Sequence, residues 1–168
     1  ATDGSISKID FHRQHLGATG STAFAPALAA MSSLAVLNLV ATDLCGLDLD
    51  GRGTYTTEGI KAIADVLSTS GSLTCLNLHF NHMGDKGAAV LAPAIAASGS
   101  LTSLSLNRNE LGSESAAVLA PAIAASGSLA TLQLAGNALG TEGATALAPA
   151  IAASRSLTEC DLRKNNIQ

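Results

Sequence analysis

The sequence has little of what most binding or catalytic chains display. Aromatic residues are 2% of it, with one Tyr, three Phe and no Trp, so no aromatic core or stacking platform holds it together. Charged residues are only 13% and the net charge is −4. No Lys/Arg run occurs, which argues against nucleic acid, whose phosphates require a basic face. The three cysteines, Cys45, Cys75 and Cys160, share no spacing. An odd, unpatterned set is neither a disulfide framework nor a zinc motif, and it predicts free thiols in a reducing, cytoplasmic setting. The first residues, ATDGSISKID, carry no apolar run, so no signal peptide is expected. Alanine-rich stretches such as AAVLAPAIAA are too short to span a bilayer and contain proline, so no membrane association is expected.

Against these absences stands a 47% hydrophobic content, supplied by leucine and alanine and sufficient for a continuous core. At 168 residues this is one domain's worth of chain. The hydrophobic residues recur. Ser100 to Gly127, SLTSLSLNRNELGSESAAVLAPAIAASG, returns 28 residues later from Ser128 and stands 28 residues earlier from Ser72. Self-similarity at such a period marks a solenoid.

Within a unit, Leu104 and Leu106 alternate with polar Ser103, Ser105 and Asn107, predicting a strand over 100–107. Ala116, Leu119, Ala120 and Ile123 then fall at i, i+3, i+4 and i+7, one face of a helix. Ser113, with Asp85 and Thr141 in the same place of neighbouring units, is the expected helix N-cap. A strand–turn–helix unit with one apolar side per element cannot bury its core alone, but stacked neighbours can.

The sequence LTSLSLNRNELGSESAAVLAPAI, with Leu101, Leu104, Leu106, Asn109 and Leu111 as LxxLxLxxNxL, resembles the leucine-rich repeat. Its length and helical second half resemble the ribonuclease-inhibitor type. The resemblance covers nearly the whole chain and implies an α/β solenoid, with parallel strands on a concave face and helices on a convex one. It does not imply ribonuclease inhibition, because that protein is cysteine-rich. In such repeats the Asn side chain satisfies backbone groups of the turn.

A single repeat domain over 1–168 divides into units at 5–32, 33–71, 72–99, 100–127 and 128–155, with a partial unit at 156–168. In the first unit Ile6, Ile9, Phe11 and Leu16 take the leucine places, and Gln14 replaces the Asn. In the second, Thr42 replaces it, and the unit is 11 residues too long. The excess lies at 45–55, CGLDLDGRGTY. Cys160 takes a core-leucine place and is expected to be buried. Pro26, Pro93, Pro121 and Pro149 share one place in the helical segments, where an interior proline costs about 3 kcal/mol. Either each helix bends there or it is short and breaks near that point, and the break is the expectation. The last unit has strand and turn but no helix. Apolar surface at Leu157, Cys160, Leu162 and Ile167 is therefore expected to be open to self-association.

The solvent-facing strand positions form columns whose residues vary, including Asn38, Asn77, Ser105 and Gln133 in one and Arg13, Ala41, Phe80 and Arg108 in another. A rigid varied sheet suits a binding surface, and Phe80 is either an anchor or buried in its turn. The expected partner site comprises Asn77, His79, Phe80 and Arg108 with Asp48, Asp50, Arg52 and Tyr55 of the insertion, since long loops on a rigid scaffold often carry function. His15, Asp43 and His82 share one column and are the candidate ligands should any ion bind. Asp48-x-Asp50-Gly51 is similar to part of a calcium loop, but the required acids at Gly46 and Thr57 are missing, which favours a glycine-rich polar turn. Cys75 and His79 lie four strand residues, about 13 Å, apart, too far for a nucleophile–base pair. No catalytic residues and no cofactor are expected. The sequence thus points to a non-enzymatic module or scaffold that binds a protein partner. Because the resembled family includes GTPase-activating proteins for Ran and sensor domains of innate immune receptors, the alternative is a regulatory or recognition segment of a larger protein.

Overall fold

The computed structural model describes residues 6–168. Six three-residue strands alternate with five helices: β1 Lys8–Asp10, α1 Gly17–Ala29, β2 Val36–Asn38, α2 Glu58–Thr69, β3 Cys75–Asn77, α3 Gly84–Ala97, β4 Ser103–Ser105, α4 Ser113–Ala125, β5 Thr131–Gln133, α5 Gly140–Ala153 and β6 Glu159–Asp161. All strands are parallel, in sequence order. Lys8 pairs with Val36, Val36 with Cys75, Cys75 with Ser103, Ser103 with Thr131 and Thr131 with Glu159. The register therefore follows the sequence period and absorbs the insertion without a slip. The fold is an α/β solenoid with the sheet on one side and the helices on the other.

The strands are shorter than the alternating pattern suggests, yet the backbone ladder continues past them. Leu106 N–H donates to the Gln133 carbonyl at 2.8 Å, and Arg108 N–H to that of Ala135 at 3.0 Å. The leucines that point inward are sealed: Leu104, Leu106 and Leu111 are 0% exposed, and the α4 face Ala116, Leu119, Ala120 and Ile123 is buried against them. Each such leucine contributes about 1.5–3 kcal/mol by leaving water, and one cluster of them runs the length of the stack.

The turns are held by asparagine. Asn109 Nδ2 donates to the Leu78 carbonyl of the preceding turn at 2.9 Å and to that of Asn107 at 3.2 Å. Its Oδ1 accepts the Asn81 N–H at 2.9 Å. Asn81 does the same toward Thr42, Leu44 and Leu39, and Asn137 toward Asn109, Leu111 and Leu106. All are buried. Each amide thereby pairs main-chain groups that the leucine core keeps from water.

Several expectations are corrected. The helices run through Pro26, Pro93, Pro121 and Pro149 without a break. Each proline is exposed, and so is the residue four before it (Thr22, Ala89, Ala117 and Thr145). The carbonyl that loses its N–H partner belongs to a residue open to water, which removes most of the cost of the missing bond. Ser113 is the first residue of α4, not its cap, and no helix carries a side-chain cap from its own N-cap residue. Asp85 caps the next unit instead: its Oδ1 accepts the N–H groups of Gly112 at 3.0 Å and Ser115 at 2.9 Å, and the Ser115 hydroxyl. Ile6, in a leucine place, is 49% exposed; among the described residues no layer lies outside β1 to cover it. Cys160 is half-buried, for the same reason at β6.

Candidate strand-side binding site

The insertion is a built loop. Leu47 and Gly53 form an antiparallel bridge, and Thr56 N–H closes the root on the Cys45 carbonyl at 2.9 Å. Inside it, Asp48 Oδ1 accepts the N–H groups of Asp50 at 3.0 Å and Arg52 at 2.9 Å. The Arg52 N–H bond leads in holding the Asp48 carboxyl below its usual range. That carboxylate is spent on its own turn, as the polar-turn reading requires. At the tip Asp50 and Arg52 pair at 3.1 Å with both side chains in solvent, and Leu49 is 42% exposed.

The two ends of the segment 45–55 are structural. Cys45 is fully buried, and burial, with a smaller contribution from Glu110, pushes its thiol up to about 12. Tyr55 is half-buried and donates its hydroxyl to the Met83 carbonyl at 2.6 Å. Burial pushes that phenol up to about 12 as well. The loop is thus stapled to the turn of the following unit.

On that turn Phe80 has φ 59°. Its half-buried ring meets the His82 ring edge-on at 5.4 Å and stacks on His79 at 6.3 Å. His79 is held below its ordinary value, first by burial and then by the Arg108 charge. Asn77 Oδ1 accepts the His79 N–H at 3.1 Å, fixing the strand end. Arg108 extends into solvent over Gly136, where a Cβ would lie 3.1 Å from the Arg108 Cγ. The structure joins Asn77, His79, Phe80 and Arg108 into one surface and brings Tyr55 to its edge. The Asp50–Arg52 tip is paired with itself. Two column positions expected in solvent are buried: Ser105 at 8% exposed and Ala41 at 5%. Ser105 is short, and its register partners Asn77 and Gln133 are longer.

The histidine column behaves differently from the three-ligand expectation. His15 Nδ1 meets Asp43 Oδ2 at 2.6 Å, but His82 Nδ1 meets Glu110 Oε1 at 2.6 Å. His15, Asp43 and His82 do not converge, and among the described residues no group of three or more His, Cys, Asp or Glu could hold a metal ion. Glu110 is one period after His82 and was open to the same column argument. The cysteines are unpaired, and Cys75 starts β3 while His79 lies beyond its end.

On the opposite side an apolar hollow of about 500 Å³ lies between α3 and α4, lined by Ala89, Pro93, Ala117, Val118 and Pro121 among others. Among the described residues no helix is long and apolar enough to cross a membrane.

The repeated strand–asparagine turn–helix unit is what decides the family. The chain's regular units are leucine-rich repeats. The family model for Leucine Rich repeat matches residues 70–92, 98–120 and 128–148, the regular part of the array. No curated protein matches the sequence. Among solved structures, this leucine-rich repeat chain is similar to leiomodin-1 actin-binding site 2, with a TM-score of 0.67, 17% identity, and coverage of 90% of this chain and 82% of that one. It is also similar to the tropomodulin C-terminal domain of Caenorhabditis elegans, with a TM-score of 0.68, 18% identity and coverage of 86% and 81%. At these identities the likeness is one of fold.

Proposed function

We propose that the chain is a non-enzymatic protein-interaction module whose partner docks on the strand side around Asn77, His79, Phe80 and Arg108, beside the insertion. The observation that carries this reading is the stapled loop. Eleven extra residues are folded on themselves, tied through Tyr55 to the turn that bears Phe80, and made to hold Leu49, Asp50 and Arg52 in solvent. A loop merely tolerated needs no such internal bonding, because closure entropy grows slowly with length. Phe80 supplies the aromatic contact and Arg108 the charge, the residue types that dominate interface energetics. Unpaired thiols support a reducing compartment such as the cytoplasm.

The fold likeness to an actin-binding site makes actin the first partner to try, by co-sedimentation; affinity capture from a cytosolic lysate is the wider search. Either partner is then titrated against three proteins: wild type, a tip variant (Leu49→Ser, Asp50→Ala, Arg52→Ala) and a strand-side variant (Phe80→Ala, Arg108→Ala). These leave Cys45 and Tyr55 in place, since removing them would open the core. The expected result is at least tenfold weaker binding by the strand-side variant. A partner bound equally by all three folded proteins docks elsewhere and sinks the proposal.

A further inference from the structure

The strand side also carries an unsatisfied charge arrangement toward the last units. Arg108, Gly136 and Lys164 follow one another at the sequence period, and all three have positive φ, at 51°, 71° and 57°. They therefore occupy one column of the turn. Arg108 and Lys164 stand two strands apart, about 10 Å at the usual spacing. Between them the column has no side chain of its own, its neighbours Ala135 and Ala138 are also small, and the Arg108 chain lies across Gly136. Arg108, Gly136 and Lys164 together line both of two adjoining hollows, of about 220 and 510 Å³.

The charges around these hollows are unevenly used. Asp161 grips Arg163 with two bonds, Nε at 2.9 Å and Nη2 at 2.7 Å, and Glu110 is bonded to His82. Among the described residues neither Arg108 nor Lys164 has a carboxylate within 4.0 Å. Two exposed cations thus line the recess, while the acids that share its lining, Asp161 and Glu110, are bonded to Arg163 and His82. We propose that Arg108 and Lys164 clamp a carboxylate side chain from an acidic segment of a protein partner, with Gly136 giving the Arg108 chain room to lie across the turn. An Arg fork and a Lys ammonium approaching one carboxylate from two sides give charge-assisted bonds. The net charge of −4 provides no long-range attraction for an acidic segment, so recognition is local and selects a single anionic group. The inference rests on the protein-binding reading and specifies what the partner presents.

The test uses three fluorescein-labelled peptides of equal length, glutamate-rich, glutamine-rich and phosphoserine-containing, titrated by anisotropy at 30 and 300 mM salt. The glutamate peptide is expected to bind at low salt and weaken as salt rises, while the glutamine peptide does not bind. Arg108→Gln is expected to weaken binding about tenfold and Lys164→Gln about fivefold. Gly136→Asn, which tolerates positive φ and displaces the Arg108 chain from its place over Gly136 without changing charge, should weaken it comparably. Arg155→Gln, an exposed control, should leave it unchanged. Circular dichroism establishes that each variant is folded. The proposal is overturned if the glutamate peptide fails to bind, if only the phosphopeptide binds, or if Arg155→Gln matters as much as the clamp variants. A negative result here alongside a partner that still depends on Phe80 removes the clamp and leaves the protein-binding reading standing.

Discussion

The first two units and the three that follow share one strand register but close their turns by different means. From Asn81 onward, each turn is fastened to its predecessor by a buried asparagine. In the second unit Thr42 holds that place. Its single O–H is shared between Leu39 O at 2.9 Å and Asn81 Oδ1 at 3.2 Å, so one proton serves its own turn and the following one. In the first, Gln14 is exposed and the turn relies on Gln14 N–H donating to the Phe11 carbonyl. The helices differ likewise: α2 buries seven residues, α1 only Ser21 and Leu28, and Phe24 is 46% exposed although it packs edge-on against Phe11 at 5.1 Å. The difference teaches where cooperativity resides. The first unit adheres through the sheet and α2, while the later units are also cross-tied through buried polar groups whose loss exposes nothing to water and therefore costs in full.

The largest effect follows from that cost. Asn109→Ala leaves the Asn81 N–H buried with no partner and takes one of two amide donors from the Leu78 carbonyl, which keeps Asn81 Nδ2. At about 1–3 kcal/mol for the unmet N–H and about 1 kcal/mol for the lost bond, the loss is expected to be about 2–4 kcal/mol. Gln14→Ala should cost less than about 0.5 kcal/mol, as for most exposed positions. Urea midpoints measure both, and comparable losses would erase the distinction between the two regions.

Asp85 tests the cross-ties between helices. Asp85→Ala removes the acceptor for the first turn of α4 and is expected to cost about 1 kcal/mol, the usual worth of a cap. Burial acts to raise this carboxyl, but the bonds from Ser115 and Gly112 outweigh it and hold it below its ordinary value. A depressed acid contributes stability above its unfolded value, near pH 4, and that contribution is lost as pH falls through the folded value. Wild type should therefore lose stability faster than Asp85→Ala in acid unfolding below about pH 4. Parallel acid curves would show that the carboxylate is not the cap.

The leucine periods made the fold and its register legible, because burial of one apolar face per element leaves a single way to stack. The Asn column was legible for the same reason, and its gaps at Gln14 and Thr42 marked the irregular end. Other features depend on which atoms meet across units. Asp85 looked like a cap for its own helix, but it is the second residue of α3 and its carboxylate meets the start of α4. Cys45 and Tyr55 looked like loop residues because length, not burial, defined the insertion. The proline positions suggested broken helices because sequence does not show that the orphaned carbonyls face water. Of the candidate site, His79, Phe80 and Arg108 were readable as one patch. Glu110 could have been found by adding one period to His82, whereas the role of Gly136 is visible only once the Arg108 chain is seen to lie across it.

Thr42→Asn sharpens the comparison by restoring the cross-tie where it is missing. Asn at this place should compete for the N–H groups of Gln14 and Leu16, which now donate to the Phe11 and Gln14 carbonyls of their own turn, and hold them as Asn81 holds those of Thr42 and Leu44. Loss of the Thr42 hydroxyl bonds offsets part of the gain, so a net stabilisation of about 0.5–1 kcal/mol is expected. Slower amide exchange in β1 and the 11–16 turn is the accompanying sign. Destabilisation by more than about 1 kcal/mol would mean that the first turn is shaped around threonine rather than left untied.

The smallest effect lies in the two His–carboxylate pairs, which occupy equivalent places in the two regions with burial reversed. His15 is 75% exposed while Asp43 is 14% exposed; His82 is 12% exposed while Glu110 is 65% exposed. The hydrogen bond and charge of Asp43 raise His15 above its ordinary value. A raised histidine contributes stability that is fully present below its unfolded value, near pH 6.5, and disappears as pH rises through the folded one. The tie between the first two turns therefore tightens in mild acid, and it is weak because the imidazole is open to water. Proton NMR titration should place His15 above 6.5 in wild type and return it to the ordinary value in Asp43→Asn. Glu110→Gln, which acts on the other pair, should leave the His15 titration where it was. A His15 that titrates normally in wild type, or one that shifts with Glu110→Gln, would show that the pair is not formed in solution and that the first unit is held by its sheet and helix contacts alone.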